Sequence, residues 1–124
     1  MIQPTELRIG NTVKHKTTGS ILTVMEIKES TVRVSYTTDK PRTAIIEYND
    51  LEPIPLTDKI LLKCGFNFNF NASRWEINDV GLKITDILGK YYGTNFPIKV
   101  SFKYLHQLQN LIYAITGNEL EINL

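Results

Sequence analysis

Cysteine, tryptophan and histidine are scarce in this chain of 124 residues, and each scarcity excludes something. The single cysteine, Cys64, cannot close an intramolecular disulfide, so no covalent framework holds the fold and nothing asks for an oxidising compartment. An excess of one charge is also missing: 14 Lys and Arg stand against 13 Asp and Glu, a net charge of +1. Division at Pro55 leaves both parts balanced, with 7 basic and 7 acidic residues before it and 7 and 6 after it. Neither part has the field that would hold a polyanion or an anionic membrane. No apolar run approaches the roughly 20 residues that span a bilayer. The first residues, Met1-Ile2-Gln3-Pro4-Thr5-Glu6, lack the basic and apolar regions of a signal peptide, and the cytoplasm is the expected compartment. Asn71-Ala72-Ser73 fits the glycosylation pattern, which carries no weight without secretion.

Catalytic signatures are missing as well. Gly89 and Gly93 match no nucleotide-binding fingerprint, and no serine, histidine and acid set or spaced pair of carboxylates stands out. The expectation is a chain that is not an enzyme, with no cofactor and no metal.

What is present is an ordinary globular composition, 42% hydrophobic and 22% charged, with a clear change of pattern near Pro55. Residues 6–54 read as short strands broken by turn signals at Thr17-Thr18-Gly19, Glu29-Ser30 and Thr38-Asp39-Lys40-Pro41. Val32, Val34 and Tyr36 alternate with Arg33, Ser35 and Thr37, which puts an apolar face against a polar one. Residues 21–27 are apolar more continuously, as in a strand that is sharply bent or covered on both sides. Adding strands at 7–13, 43–48 and 51–54 gives five, the count of an SH3-like barrel over residues 1–55. Pro53-Ile54-Pro55 ends that unit, because proline lacks the donor a ladder needs.

Residues 56–124 read as an α+β unit. Thr57 is the predicted N-cap of a short helix with Ile60, Leu61 and Cys64 on one face, closed by a left-handed Gly65 onto which Phe66 folds back. From there the period becomes two, with Phe66, Phe68 and Phe70, then Trp75 and Ile77, then Leu82 and Ile84 marking an antiparallel meander. Residues 89–95 read as a loop leading to a short strand at 97–100. The strongest element is an amphipathic helix over 102–116, with Ser101 as N-cap and Gly117 as its stop. At 100° per residue, Tyr104, Leu105, Leu108, Leu111, Ile112 and Ile115 fall within an arc of about 120°. Leu120, Ile122 and Leu124 alternate with Glu121 and Asn123 and suggest a final edge strand.

Three stretches carry a resemblance: Glu6-Leu7-Arg8-Ile9-Gly10-Asn11-Thr12-Val13, the run from Ile54-Pro55-Leu56-Thr57 through Leu61 to Gly65-Phe66, and the ending His106-Gln107-Leu108-Gln109-Asn110-Leu111-Ile112-Tyr113-Ala114-Ile115-Thr116-Gly117-Asn118-Glu119-Leu120. They resemble a protein family encoded by gut Bacteroidetes, Bacteroides among them, and their phages. The resemblance implies a prophage or mobile-element origin. That family has no assigned activity, so no residue inherits a role from it.

Candidate sites stand against blander readings. His106, Gln109, Asn110 and Tyr113 lie opposite the apolar arc and offer donors and acceptors without charge. They form a candidate protein-interaction surface or, more plainly, a solvated helix face. Lys14 and Lys16 with Lys40 and Arg42, near Tyr36 or Tyr48, make a candidate nucleic-acid rim on the barrel, opposed by seven acidic residues in the same part. His15 stands between two lysines, which disfavours a cation there. Cys64 falls on the apolar side of its helix near a C-terminus whose dipole opposes a thiolate, so it reads as a packed core thiol. Phe68, Trp75, Tyr91, Tyr92 and Phe96 exceed what one helix covers, and any left uncovered would form a patch for a protein partner or a homodimer. Taken together these features point to a non-catalytic protein-interaction module, with nucleic-acid binding through the barrel as the alternative.

Overall fold

The computed structural model describes residues 2–36, 42–77, 82–87, 90–93 and 100–124. The fold is α+β, with two five-stranded antiparallel sheets and a C-terminal helix, and it divides into units Met1–Ile54 and Pro55–Leu124.

The sheet of the first unit contains β1 (Thr12–His15), β2 (Ile21–Ile27), β3 (Thr31–Tyr36), β4 (Arg42–Glu47) and β5 (Leu51–Glu52), in the order β4-β3-β2-β1-β5. It is curled into a half-barrel. Period-two alternation sets its inner face: Val34 pairs with Val24 and Ala44, and Val32 with Ile27 and Ile46. Val13, Leu22, Val24, Val32, Val34, Ile46, Tyr48 and Leu51 are buried together. The continuous apolar run in β2 resolves into a bend, since the register with β3 slips between Val24 and Glu26. That bulge releases Met25 to solvent, and bulged strands bend.

The first strand is shorter than its apolar pattern suggests. Pro4–Glu6 is a 3-10 helix closed by the Glu6 carboxylate, which accepts from the Gln3 N–H at 2.8 Å. The Asn11 side chain then accepts from the Arg8 N–H at 2.7 Å, and Gly10 takes a left-handed φ of 99°. A side-chain turn of this kind competes with a ladder, so pairing starts only at Thr12. A second 3-10 helix, Tyr48–Asp50, separates β4 from β5. Its Tyr48 hydroxyl donates to the Lys28 carbonyl at 2.6 Å, and burial pushes the phenol above its ordinary pKa. Thr37 and the turn expected at Thr38 to Pro41 lie outside the described residues.

In the second unit, α1 spans Asp58–Lys63. The Thr57 hydroxyl accepts from the Ile60 N–H at 3.2 Å, which satisfies one of the donors that a helix start leaves open. At the other end the Phe66 N–H donates to the Leu61 carbonyl and the Gly65 N–H to the Leu62 carbonyl, with Gly65 at φ 89°. This paired closure returns Phe66 to the core, where it is buried with Leu61.

The meander consists of β6 (Asn67–Asn69), β7 (Arg74–Ile77), β8 (Leu82–Ile87), β9 (Lys90–Gly93) and β10 (Val100–Phe102), in the order β10-β9-β8-β7-β6. Residues 90–93, expected as loop, are therefore a strand. Tyr91 explains the difference: it is buried in register with Phe102, and its hydroxyl donates to Asp58 Oδ1 at 2.9 Å. Burial first, and the Asp58 bond second, raise its phenol pKa. Of the strand expected at 97–100, only Val100 is described, and it opens β10. The turn expected at Asp79-Val80-Gly81 also lies outside the described residues.

The long helix α2 runs Leu105–Thr116, so Phe102 belongs to the sheet and the helix begins three residues late. Ser101 is not its N-cap, because it pairs with Tyr92 across the sheet. Instead Tyr104 occupies the cap, and the Gln107 side chain accepts from the N–H groups of Lys103 and Tyr104 at 2.8 and 3.0 Å. Gly117 ends the helix in the left-handed region at φ 73°, as its position predicts.

The buried side of α2 differs from the apolar arc. Leu105, His106, Leu108, Gln109 and Ile112 are buried, while Ile115 is 44% exposed and Leu111 is half-buried. On a helical wheel this set spans about 160°, and its centre is turned about 80° from that of the apolar arc. The tail after Gly117 is not an edge strand. Leu120 is buried there, and the Asn123 N–H donates to the Lys63 carbonyl at the end of α1.

This rotation yields a direct comparison. Leu108→Ala, at a fully buried position, should lower unfolding free energy by about 2–5 kcal/mol. Ile115→Ala should cost under about 1 kcal/mol. Denaturant titrations of the two variants check this, and equal losses would contradict the rotated face.

Candidate functional site

The four helix residues read as one surface are divided by the fold. His106 and Gln109 are each only 2% exposed, Asn110 is half-buried and Tyr113 is exposed. His106 stacks almost parallel on Tyr104, with ring centroids 5.9 Å apart. Both buried side chains are uncharged polar groups, and a core tolerates such groups when they are hydrogen-bonded. The surface predicted from His106, Gln109, Asn110 and Tyr113 is thus corrected to a buried pair and a partly open pair.

The basic rim is also divided. Lys14 lies on the outer face of the half-barrel, 3.7 Å from Glu52. Arg42 follows the register of Val13, Leu22 and Tyr36 on the inner face, with its guanidinium 5.8 Å from the Tyr36 ring centroid. Three strand steps separate β1 from β4, about 14 Å at the usual spacing. Lys14 and Arg42 therefore do not converge. Lys16 is exposed, and Lys40 lies outside the described residues. His15 is locally occupied, since its Nδ1 accepts from the N–H groups of Thr17 and Thr18 at 3.1 and 3.3 Å. Among the described residues, no three of His, Cys, Asp and Glu come together as metal ligands.

Two other features emerge, both in the second unit. The first is aromatic. Trp75 and Tyr91 are buried, Tyr92 is half-buried, Phe68 sits at the margin, and Phe96 lies outside the described residues. Phe70, absent from the sequence-based candidates, is 85% exposed. The rings of Phe68 and Phe70 meet edge to face at 5.1 Å, and Phe68 meets Trp75 in the same way at 5.2 Å. Local structure explains the exposure. The Asn69 carboxamide accepts from the N–H groups of Asn71 and Ala72, so the turn begins at Phe70 and carries its ring past the end of β6. The signal was present in Asn71-Ala72-Ser73, whose turn residues place Phe70 at a hairpin tip.

The second feature is a cleft of about 570 Å³. Ile77, Ile112, Leu120 and Cys64 give it apolar lining, and among the described residues Glu119 and Glu121 are the charged ones that line it. It gathers the ends of α1 and α2, strand β6 and the tail, which are distant in sequence. Cys64 opens onto it without being an activated nucleophile, since burial pushes the thiol up to about 12. His106 and Tyr113 of α2 do not line it.

Compared with family models, curated proteins and solved structures, the chain matches none. No helix among the described residues is long and apolar enough to cross a membrane.

The thiol supplies a test of the second core. Its ordinary pKa is 9.0 and its folded value about 12, so the fold favours the protonated form. That stabilisation is complete below pH 9 and is lost as pH rises towards 12. Near pH 9 a thiol-specific reagent should label Cys64 slowly in the folded protein and rapidly in denaturant. Equal rates would show an open thiol.

Proposed function

We propose that this chain is a non-catalytic protein-interaction module of phage or mobile-element origin, working in the cytoplasm, whose partner is a second copy of itself. The observation that carries the reading is the free side of β6. Among the described residues each sheet has two edges, and three of the four are guarded. Strand β4 carries Arg42 and Glu47, β5 is two residues long and carries Glu52, and β10 is followed by Lys103. Charges and short length are the usual protection of an edge against pairing with another chain.

The run of β6 and its turn, Asn67-Phe68-Asn69-Phe70-Asn71-Ala72-Ser73, has no charge and no proline. Among the described residues β6 has a neighbour on one side only. A two-fold antiparallel pairing centred on Phe68 sets Asn67 of one copy opposite Asn69 of the other, with no like charges opposed. Phe68 then faces its own copy, and the two Phe70 rings close the ends. Aromatic cross-strand pairs contribute about 0.5–1.5 kcal/mol beyond the area they bury.

The first unit is read as SH3-like. Support comes from its consecutive meander, the 3-10 turn Tyr48–Asp50 before the last strand, and the return of β5 to pair with β1. A fold of this kind does not by itself assign an activity. Nucleic-acid binding has less support, because Lys14 and Arg42 occupy opposite faces of the sheet.

Light-scattering mass as a function of concentration tests the reading. Twice the chain mass is expected, falling to one chain mass in Phe70→Asp, a change at an exposed position that leaves the core intact. Phe68→Lys, which opposes two like charges on the two-fold axis, should act in the same direction. A wild-type monomer at all concentrations, or a dimer indifferent to both substitutions, would overturn the reading. A monomer that retards single- or double-stranded nucleic acid with steep salt dependence would establish the barrel alternative in its place.

A further inference from the structure

The exposed ring of Phe70 and the cleft lie at opposite ends of β6, so within one copy they cannot meet. Asn67 pairs with Glu76, and the next step of that register sets Phe66 beside Ile77, a residue of the cleft. Phe70 is four residues further along the chain, about 13 Å away at the rise of a strand.

A two-fold pairing of β6 brings the two features together. Centred on Phe68, it sets Asn67 opposite the partner's Asn69, and one step further on it sets Phe66 opposite the partner's Phe70. Residues so opposed project from the same face, with Cβ atoms about 5 Å apart. Phe70 meets Phe68 edge to face, and Phe68 meets the buried Trp75, so the ring stands on the core-facing side of the sheet. The partner's ring therefore arrives beside Gly65 and Asn67, the two chain neighbours of Phe66, and both of these line the cleft.

There is room for it at that place. Phe66 is 1% exposed and turned into its own core, whereas Gly65 and Asn67 are exposed. Gly65 closes α1 at φ 89°, and a Cβ added to it would meet no atom within 4 Å. A glycine backbone in open space lets an aromatic ring approach closely. Phe70, 85% exposed, is the most exposed large hydrophobic residue among those described.

We infer that each copy closes the other's cleft with its Phe70 ring, packed on Gly65 at the cleft mouth. The inference rests on the self-association reading and adds the seat that the ring occupies, since strand pairing alone would leave both rings in solvent. The exchange is reciprocal: each copy gives one ring and receives one, so assembly closes at two.

The experiment mixes isotope-labelled and unlabelled full-length chains and records isotope-filtered NOEs between copies. A contact between the Phe70 ring protons of one copy and the Gly65 Hα of the other is expected. Cys64, which lines the cleft beside Gly65, supplies a second readout. In Phe70→Ala, at a concentration where light scattering still gives twice the chain mass, a thiol reagent should label Cys64 about tenfold faster than in the wild-type dimer, because the cleft has lost its cover.

A wild-type dimer without the contact to Gly65 would overturn the seat while leaving self-association standing. So would a ring that contacts another part of the partner instead, or a Phe70→Ala dimer that labels at the wild-type rate. A wild-type monomer would overturn both readings, and the scattering mass alone reveals that outcome.

Discussion

The second unit depends on how the first two turns of α2 are enclosed. Trp75, Leu82, Ile84, Tyr91 and Phe102 lie on one face of the meander and are all buried, so something must cover them. Leu105, Leu108 and Ile112 of α2 are buried too, as are Leu61 and Phe66 of the α1 closure. Because the burial is so complete, the helix accepts His106 and Gln109 into the enclosed arc. An ionised side chain at either place would have to shed its hydration at several kcal/mol, whereas an uncharged polar group needs only partners.

That enclosure explains which parts of the chain were legible in its sequence. Three of the four caps were legible because their chemistry is local: Thr57 accepts from the third residue of its helix, and Gly65 and Gly117 take the left-handed conformation that side chains resist, whereas Ser101 was drawn into the sheet and left the N-cap of α2 to Tyr104. Alternation in β3 was legible because one face of the half-barrel meets a core and the other meets water. The orientation of α2 was not, because an apolar arc records hydrophobicity and not coverage. Ile115 and Leu111 belong to the arc in composition, but in the fold Ile115 is exposed and Leu111 only half-buried. Tyr91 and Tyr92 were obscured by the glycines around them, although a buried hydroxyl bonded to Asp58 is a tertiary fact that no local pattern carries.

The candidate sites failed in sequence for the same reason. Charge was absent from the polar face of α2, and absence of charge fits an interaction surface and a buried network equally well. Lys14 and Arg42 are close in kind but sit on opposite faces, since one residue of register inverts the direction of every side chain. Phe70 was visible in composition and became informative only once Asn69 was seen to end the strand before it.

The exposed ring of Phe70 and the cleft both lie beside strand β6. Five strands at about 4.8 Å spacing make a sheet roughly 19 Å across from first to last. A helix is about 10 Å wide, and the 12 residues of α2 are about 18 Å long. The six residues of α1 add only about 9 Å of length. Neither helix is longer than the sheet is wide, and α1 is half as long as α2. Strand β6 is the last of the order, and Asn67 on that strand lines the cleft. The tail is held there by the buried Leu120 and by the Asn123 N–H, which donates to the Lys63 carbonyl, so that Glu119 and Glu121 on either side of Leu120 are left in solvent.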